Sequence, residues 1–148
     1  MCLSQFVIFT LDKEEYGIEI AYTQEIIRIP NQITKIPNMP AYFEGMINLR
    51  DKVFPVIDLK KRFGNDKAER DVDSRLLILN LNNTLLGIIV DDVSEVVMID
   101  DQSIEKLNFD IPGITIKSIE GIAKRDNRLI LLLDALEIKN EIFQHIDQ

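Results

Sequence analysis

The residues able to do nucleophilic or acid–base chemistry are few in this chain and poorly spaced for it. The only histidine, His145, lies in the C-terminal tail and the only cysteine is Cys2, so neither a Ser-His nor a Cys-His pair can be assembled from a folded core. No G-x-x-x-x-G-K-[ST] or G-x-G-x-x-G run is present to cradle a phosphate, and Cys/His spacing for zinc is absent. Carboxylates remain. Asp91-Asp92 with Asp100-Asp101 have the oxygen ligands a hard cation requires, but such pairs more often end strands, because Asp side chains bond nearby backbone. A phosphoacceptor receiver domain also places an acidic pair at a strand end, yet that fold needs parallel strands alternating with long helices, and the pattern here contradicts it. The expectation is a chain with no enzymatic activity, no cofactor and no metal.

The elements that must position any site come in two copies. Sliding the sequence by 70 positions lays residues 6–11 on 76–81, Gly17 on Gly87 and Glu25 on Glu95. A slide of 76 lays Glu44-Gly45 on Glu120-Gly121, residues 53–57 on 129–133, and Asp58 on Asp134. A duplicated unit can keep its structural residues and diverge where function sits. Gly17, Gly45, Gly87 and Gly121 are therefore expected to be backbone positions intolerant of a Cβ, and Asp58 and Asp134 to be helix caps. Arg50 is not shared, since its counterpart is Asp126; the bland alternative is an exposed turn arginine.

Within the first copy, residues 6–11 and 16–20 flank a polar connection of hairpin length. One helical turn is expected over residues 22–26, then an extended stretch ended by Pro30. Strands follow at 33–36, 45–49 and 53–57, with a turn at Tyr42-Phe43-Glu44 and another at Arg50-Asp51-Lys52. Asp58 caps a short helix that Gly64 stops. Residues 65–74 have the composition of a surface linker. The second copy repeats the plan with strands at 76–81, 85–90, 95–99, 114–123 and 128–133, a longer connection at 100–113, and a short helix after Asp134. Residues 129–133, Leu-Ile-Leu-Leu-Leu, show no alternation, so that strand is expected to be buried on both faces. Short, evenly spaced strands without crossover helices indicate a mainly β protein of small closed or partly open barrels. Its two units, residues 6–64 and 75–138, would share an apolar seam within one domain of residues 1–148.

Composition is that of a globular chain: 148 residues, 46% apolar and 28% charged. No apolar run approaches the ~20 residues that span a bilayer, and the start lacks the marks of a signal peptide, so a cytoplasmic protein without membrane insertion is expected. A single cysteine allows no internal disulfide. The net charge of −8 argues against nucleic acid, where Lys and Arg must displace condensed counterions.

The run from Pro40 to Leu59, P-A-Y-F-E-G-M-I-N-L-R-D-K-V-F-P-V-I-D-L, closely resembles the signature of the CheW-like family of chemotaxis coupling proteins, roughly P-x-x-x-x-G-x-x-N-L-R-G-x-x-x-P-V-x-D-L. Residues 87–96 are similar to the family's second marker and 121–134 to its third. Asp51 departs from the pattern, standing where glycine usually follows the arginine; Asp tolerates left-handed backbone better than most residues. The resemblance implies two intertwined five-stranded β-barrels with short helices, of SH3/OB-like kind, and an adaptor that couples the cytoplasmic tips of transmembrane chemoreceptors to the regulatory domain of the histidine kinase CheA at membrane receptor arrays. It further implies that Glu25 and Arg50 match a charged pair associated with receptor coupling, beside Asn48 and Asp51 in the signature. Ile20, Ile27 and Ile33 would line the groove receiving the receptor hairpin, against a competing reading as core. The alternative function is a double-barrel module binding a small molecule.

Overall fold

The structure, a computed structural model, describes residues 2–65, 69–109 and 118–146. In chain order the strands are β1 (Leu3–Leu11), β2 (Glu14–Glu19), β3 (Thr23–Arg28), β4 (Phe43–Leu49), β5 (Lys52–Asp58), β6 (Arg75–Leu81), β7 (Thr84–Val90), β8 (Asp92–Asp100), β9 (Ile119–Arg125) and β10 (Arg128–Leu133). Helix α1 (Leu59–Arg62) follows β5, and α2 (Ala135–Ile146) follows β10.

The strands form two five-stranded sheets, ordered β8-β1-β2-β10-β9 and β3-β6-β7-β5-β4. Neighbours are antiparallel except β2 with β10 and β5 with β7. Each sheet thus mixes both halves of the chain: the β1–β2 hairpin pairs with strands of the second copy, and the β6–β7 hairpin with strands of the first.

That exchange explains the unbroken apolar runs at the starts of the copies. In β1, Phe6 and Ile8 point into one barrel with Val97, Ile130 and Leu132, while Val7, Phe9 and Leu11 face the other way. In β6, Leu76 and Ile78 fill the second barrel with Ile47, Phe54 and Val56, while Leu77, Leu79 and Leu81 face the first barrel's outward row. The two outward rows, with Leu59 of α1 and Ile138 and Ile142 of α2, form one seam cluster. Strands with both faces covered read as continuous hydrophobic runs.

Strand β10 corrects an expectation. Ile130, Leu132 and Leu133 are buried, but Leu129 is 61% exposed, so the run is not covered on both faces throughout. Local boundaries shift as well. The turn after β2 is a 3-10 turn at Ile20–Tyr22, and Thr23 already belongs to β3. Residues 33–36 make only the single bridge of Thr34 to Met46, because Pro30 and Pro37 flank a stretch too short for a ladder. The turn expected at Tyr42-Phe43-Glu44 lies earlier, closed by the Phe43 amide donating to the Pro40 carbonyl at 3.0 Å, and β4 starts at Phe43. The strand expected over 114–123 begins outside the described residues, as does part of the 65–74 linker.

The shared glycines differ in what they avoid. A Cβ at Gly45, whose φ is +143°, would lie 2.3 Å from the Thr34 carbonyl oxygen; at Gly121 it would lie 2.4 Å from Ile104 Cγ2 and 2.7 Å from the Glu105 oxygen. In both barrels a closing segment crosses the strand there, through the bridges Thr34 to Met46 and Glu105 to Ile122. Gly17 and Gly87 instead make room for side chains, Leu132 against the former and Leu76 and Val56 against the latter. Asp58 and Asp134 accept hydrogen bonds from the Lys61 and Glu137 amides, each at 3.2 Å, as helix caps.

Candidate partner interface around the Arg50 turn

Four hairpins turn on two residues, Asp12-Lys13, Arg50-Asp51, Asn82-Asn83 and Asp126-Asn127, with φ between +50° and +71° at every one of these positions. This is the type I′ turn, which fits the twist of the flanking strands and favours Asn, Asp and Gly. Three of the four first positions obey that preference. Arg50, at φ +51°, does not, and an L residue with a long side chain is strained in left-handed backbone. Asp51, at φ +65°, keeps the turn that the family's usual glycine would make.

The strained position throws the guanidinium outward, where Arg50 Nη1 donates to Glu25 Oε2 of β3. Glu25 is the more covered partner, its side chain 24% exposed against 69% for Arg50. The hydrogen bond to Glu25, and then its charge, hold the Arg50 guanidinium above its ordinary range. A largely covered carboxylate from β3 thus orients an exposed cation at the tip of the β4–β5 hairpin. Asn48, paired with Val53 across that hairpin, is exposed, as is Asp51.

The three isoleucines divide. Ile20, in the 3-10 turn, is 38% exposed. Ile27 and Ile33 are half-buried and pack on the cluster of Ile47, Phe54 and Val56. Further aliphatics of this barrel are more exposed, among them Ile26 at 42%, Ile36 at 43% and Val53 at 64%. Alternation in β3 carried the signal: Glu25 and Ile27 lie on one face, so Ile26 must lie on the other.

The other barrel carries a related arrangement that the slide of 76 does not reveal. Glu95 faces no arginine at position 126, but Arg128 Nη2 donates to Glu95 at 3.1 Å and Nη1 donates to Glu15 at 3.1 Å. The slide of 76 sets Arg128 against Lys52, so the cation sits two residues beyond the position equivalent to Arg50.

The acidic pairs have structural partners. Asp91 accepts from the Asp12 amide at 2.8 Å and pairs with Lys60 at 2.8 Å. Asp100 accepts from the Gln102 amide and Asp101 from the Ser4 hydroxyl. Among the described residues no group of three or more His, Cys, Asp or Glu is arranged to hold a metal ion, and no helix is long and apolar enough to cross a membrane.

The profile of the CheW-like domain matches residues 5–143. The chain belongs to the CheW-like domain family. Chemotaxis protein CheW of Klebsiella aerogenes is 34% identical over 130 residues, covering 88% of this chain and 78% of the relative. The CheW of Bacillus subtilis is 32% identical over 131 residues, with 88% and 83% covered. The crystal structure of the scaffolding protein TtCheW from Thermoanaerobacter tengcongensis superposes with a TM-score of 0.81 at 41% identity, over 91% of this chain and 86% of that one. The mainly β, two-sheet CheW-like fold is thus shared with a solved relative, and with it the setting of chemotaxis.

Proposed function

We propose that this CheW-like chain is a non-enzymatic adaptor that couples transmembrane chemoreceptors to the histidine kinase CheA, binding the kinase through its regulatory domain and working in the cytoplasm at receptor arrays. The carrying observation is Arg50. It occupies a backbone position that costs stability, in a turn where three equivalents are Asp or Asn, and its side chain is oriented by Glu25 yet remains open to solvent. Strain retained at an exposed, oriented side chain points to a contact made outside the fold. The relatives' names, chemotaxis protein and scaffolding protein, agree with that reading. The filled interiors of both barrels weigh against a small molecule in either lumen.

The test is a reconstituted array of receptor, kinase and this chain, scored for receptor-controlled kinase activity, with a pull-down on the isolated regulatory domain. Arg50→Glu is expected to leave the fold and the regulatory-domain pull-down intact while weakening receptor control, and adding Glu25→Arg should restore part of it. If the two substitutions act additively on receptor control, the pair does not work as a unit. If the native chain does not bind the regulatory domain at all, the adaptor reading fails.

A further inference from the structure

A cavity of about 470 Å³ opens where the C-terminal end of β3 meets the start of β6 and the chain before it; Arg28, Arg70 and Arg75 converge on it. Arg28 and Arg75 are direct partners across the antiparallel pair, and like charges so placed repel and destabilise a sheet. This happens in a chain with 25 carboxylates and 17 Lys and Arg, where opposite partners are abundant. Arg28 makes no ion pair with any carboxylate among the described residues, and neither does Arg75. Arg75 is nevertheless held in place, its Nη1 donating to the Val72 and Ser74 carbonyls at 2.9 Å each. Arg70 is tied to Glu44 at 2.6 Å. The one carboxylate in the lining, Asp71, is turned to the chain itself, accepting the Asp73 and Ser74 amides at 2.8 and 3.1 Å.

The adjoining cavity, about 580 Å³, shows the contrast. There Lys35, Lys61 and Arg70 meet Glu44, Asp58 and Glu69, so charge is balanced within the lining. The Arg28–Arg75 cavity is left with an excess of two guanidinium groups, each a planar fork of donors matched to oxyanions. Its volume exceeds a bare tetrahedral ion and falls in the range of small-molecule sites.

We infer that the cavity between Arg28 and Arg75 is an oxyanion site that takes the phosphate group of a small molecule. A phosphate placed there would relieve the cross-strand repulsion and satisfy donors that have no carboxylate of their own. The inference is independent of receptor coupling, since it uses neither Glu25 nor Arg50.

The experiment is calorimetric titration and thermal melting of the native chain with inorganic phosphate and with pyrophosphate, against sodium chloride of equal ionic strength. Sedimentation with phosphatidylglycerol and with phosphatidylcholine vesicles runs in parallel. A saturable heat and a rise in melting temperature beyond the chloride control are expected, with pyrophosphate the tighter ligand. Loss of one charge-assisted contact in Arg28→Gln, which breaks no hydrogen bond of the fold, should weaken affinity about tenfold. Lys124→Gln, on the surface of the other barrel, should leave it unchanged. Binding to free phosphate that depends on Arg28 identifies a soluble ligand; Arg28-dependent binding only to phosphatidylglycerol vesicles identifies a lipid headgroup. If Arg28→Gln behaves like the native chain in every arm, or no arm exceeds its control, the site does not exist.

Discussion

Glu120 of β9 and Glu19 at the end of β2 bring two carboxyl groups together, and the charge on Glu19 opposes ionisation of Glu120. Burial first, then the charges of Glu19 and Asp134, push the Glu120 carboxyl from 4.5 up to about 7.

Because the folded value lies above the unfolded one, the folded chain binds more protons in the window from about pH 4.5 to about pH 7, and stability falls as pH rises through it. The contribution is complete below about pH 4.5 and lost above about pH 7. With the solvent screening of a half-buried group allowed for, the change is roughly 1–2 kcal/mol. Glu120→Gln should remove this slope, and the variant should be the more stable at about pH 8. Urea midpoints followed across the window check it; parallel profiles for the two chains would show that Glu120 does not titrate there.

Gly45→Ala should be among the most damaging single changes available, because a Cβ would meet the Thr34 carbonyl at 2.3 Å in a backbone conformation of φ +143°. A loss of about 4 kcal/mol or failure to fold is expected. Gly64→Ala, also at positive φ but with nothing near its Cβ, should cost only about 1–2 kcal/mol. Equal losses in chemical denaturation would contradict the role given to the strand crossing.

Arg50→Asn should separate stability from function. Asn suits the first position of the turn as Arg does not, so the melting temperature should rise by about 2–5 °C even though the link to Glu25 is gone. Receptor control of the kinase should fall in the same variant. A lower melting temperature would mean that the ion pair outweighs the backbone strain.

The cap at Asp58 offers a fourth stability test. The residue is 3% exposed and its carboxylate accepts the Lys61 amide, while burial raises its pKa against the opposing effect of that hydrogen bond. Asp58→Ala should cost about 1–2 kcal/mol. Asp58→Asn, which keeps an acceptor and removes a buried charge, should cost distinctly less. Comparable losses for Ala and Asn in urea titrations would show that the charge itself is needed.

The parts of the fold written twice were the parts open to reading. Gly45 and Gly121, or Asp58 and Asp134, recur because two backbones pose the same steric and capping problem, and a single slide reveals it. The turn at Asn82-Asn83 is legible through its residue types. Less local matters were not. Residues 129–133 look doubly buried, yet Leu129 opens to solvent as its counterpart Val53 does, since depth within a strand is set by what covers its end. At the candidate site, the pairing of Glu25 with Arg50 was open to anticipation, whereas that of Glu95 with Arg128 was hidden because an equivalent charge arrived from a different register position. Ile26 was passed over in favour of Ile27 because adjacent isoleucines look alike until a strand face is assigned.

The exchange of hairpins between sheets bears on the order of events at the ribosome. When residues 1–64 have emerged, β1 has no β8 and β2 has no β10 beside it, and β3 and β5 still lack the β6–β7 hairpin that separates them. One barrel cannot close until β7 ends at Val90 and the other not until β10 ends at Leu133, so the apolar stretch from Phe6 to Phe9, paired with β2 on one edge, must wait for β8 on the other. Sequence-distant pairing of this kind slows folding and lengthens exposure to aggregation. A gene cut between the two copies would therefore yield two sticky fragments rather than two small barrels, and the duplication that built this molecule has made its halves inseparable.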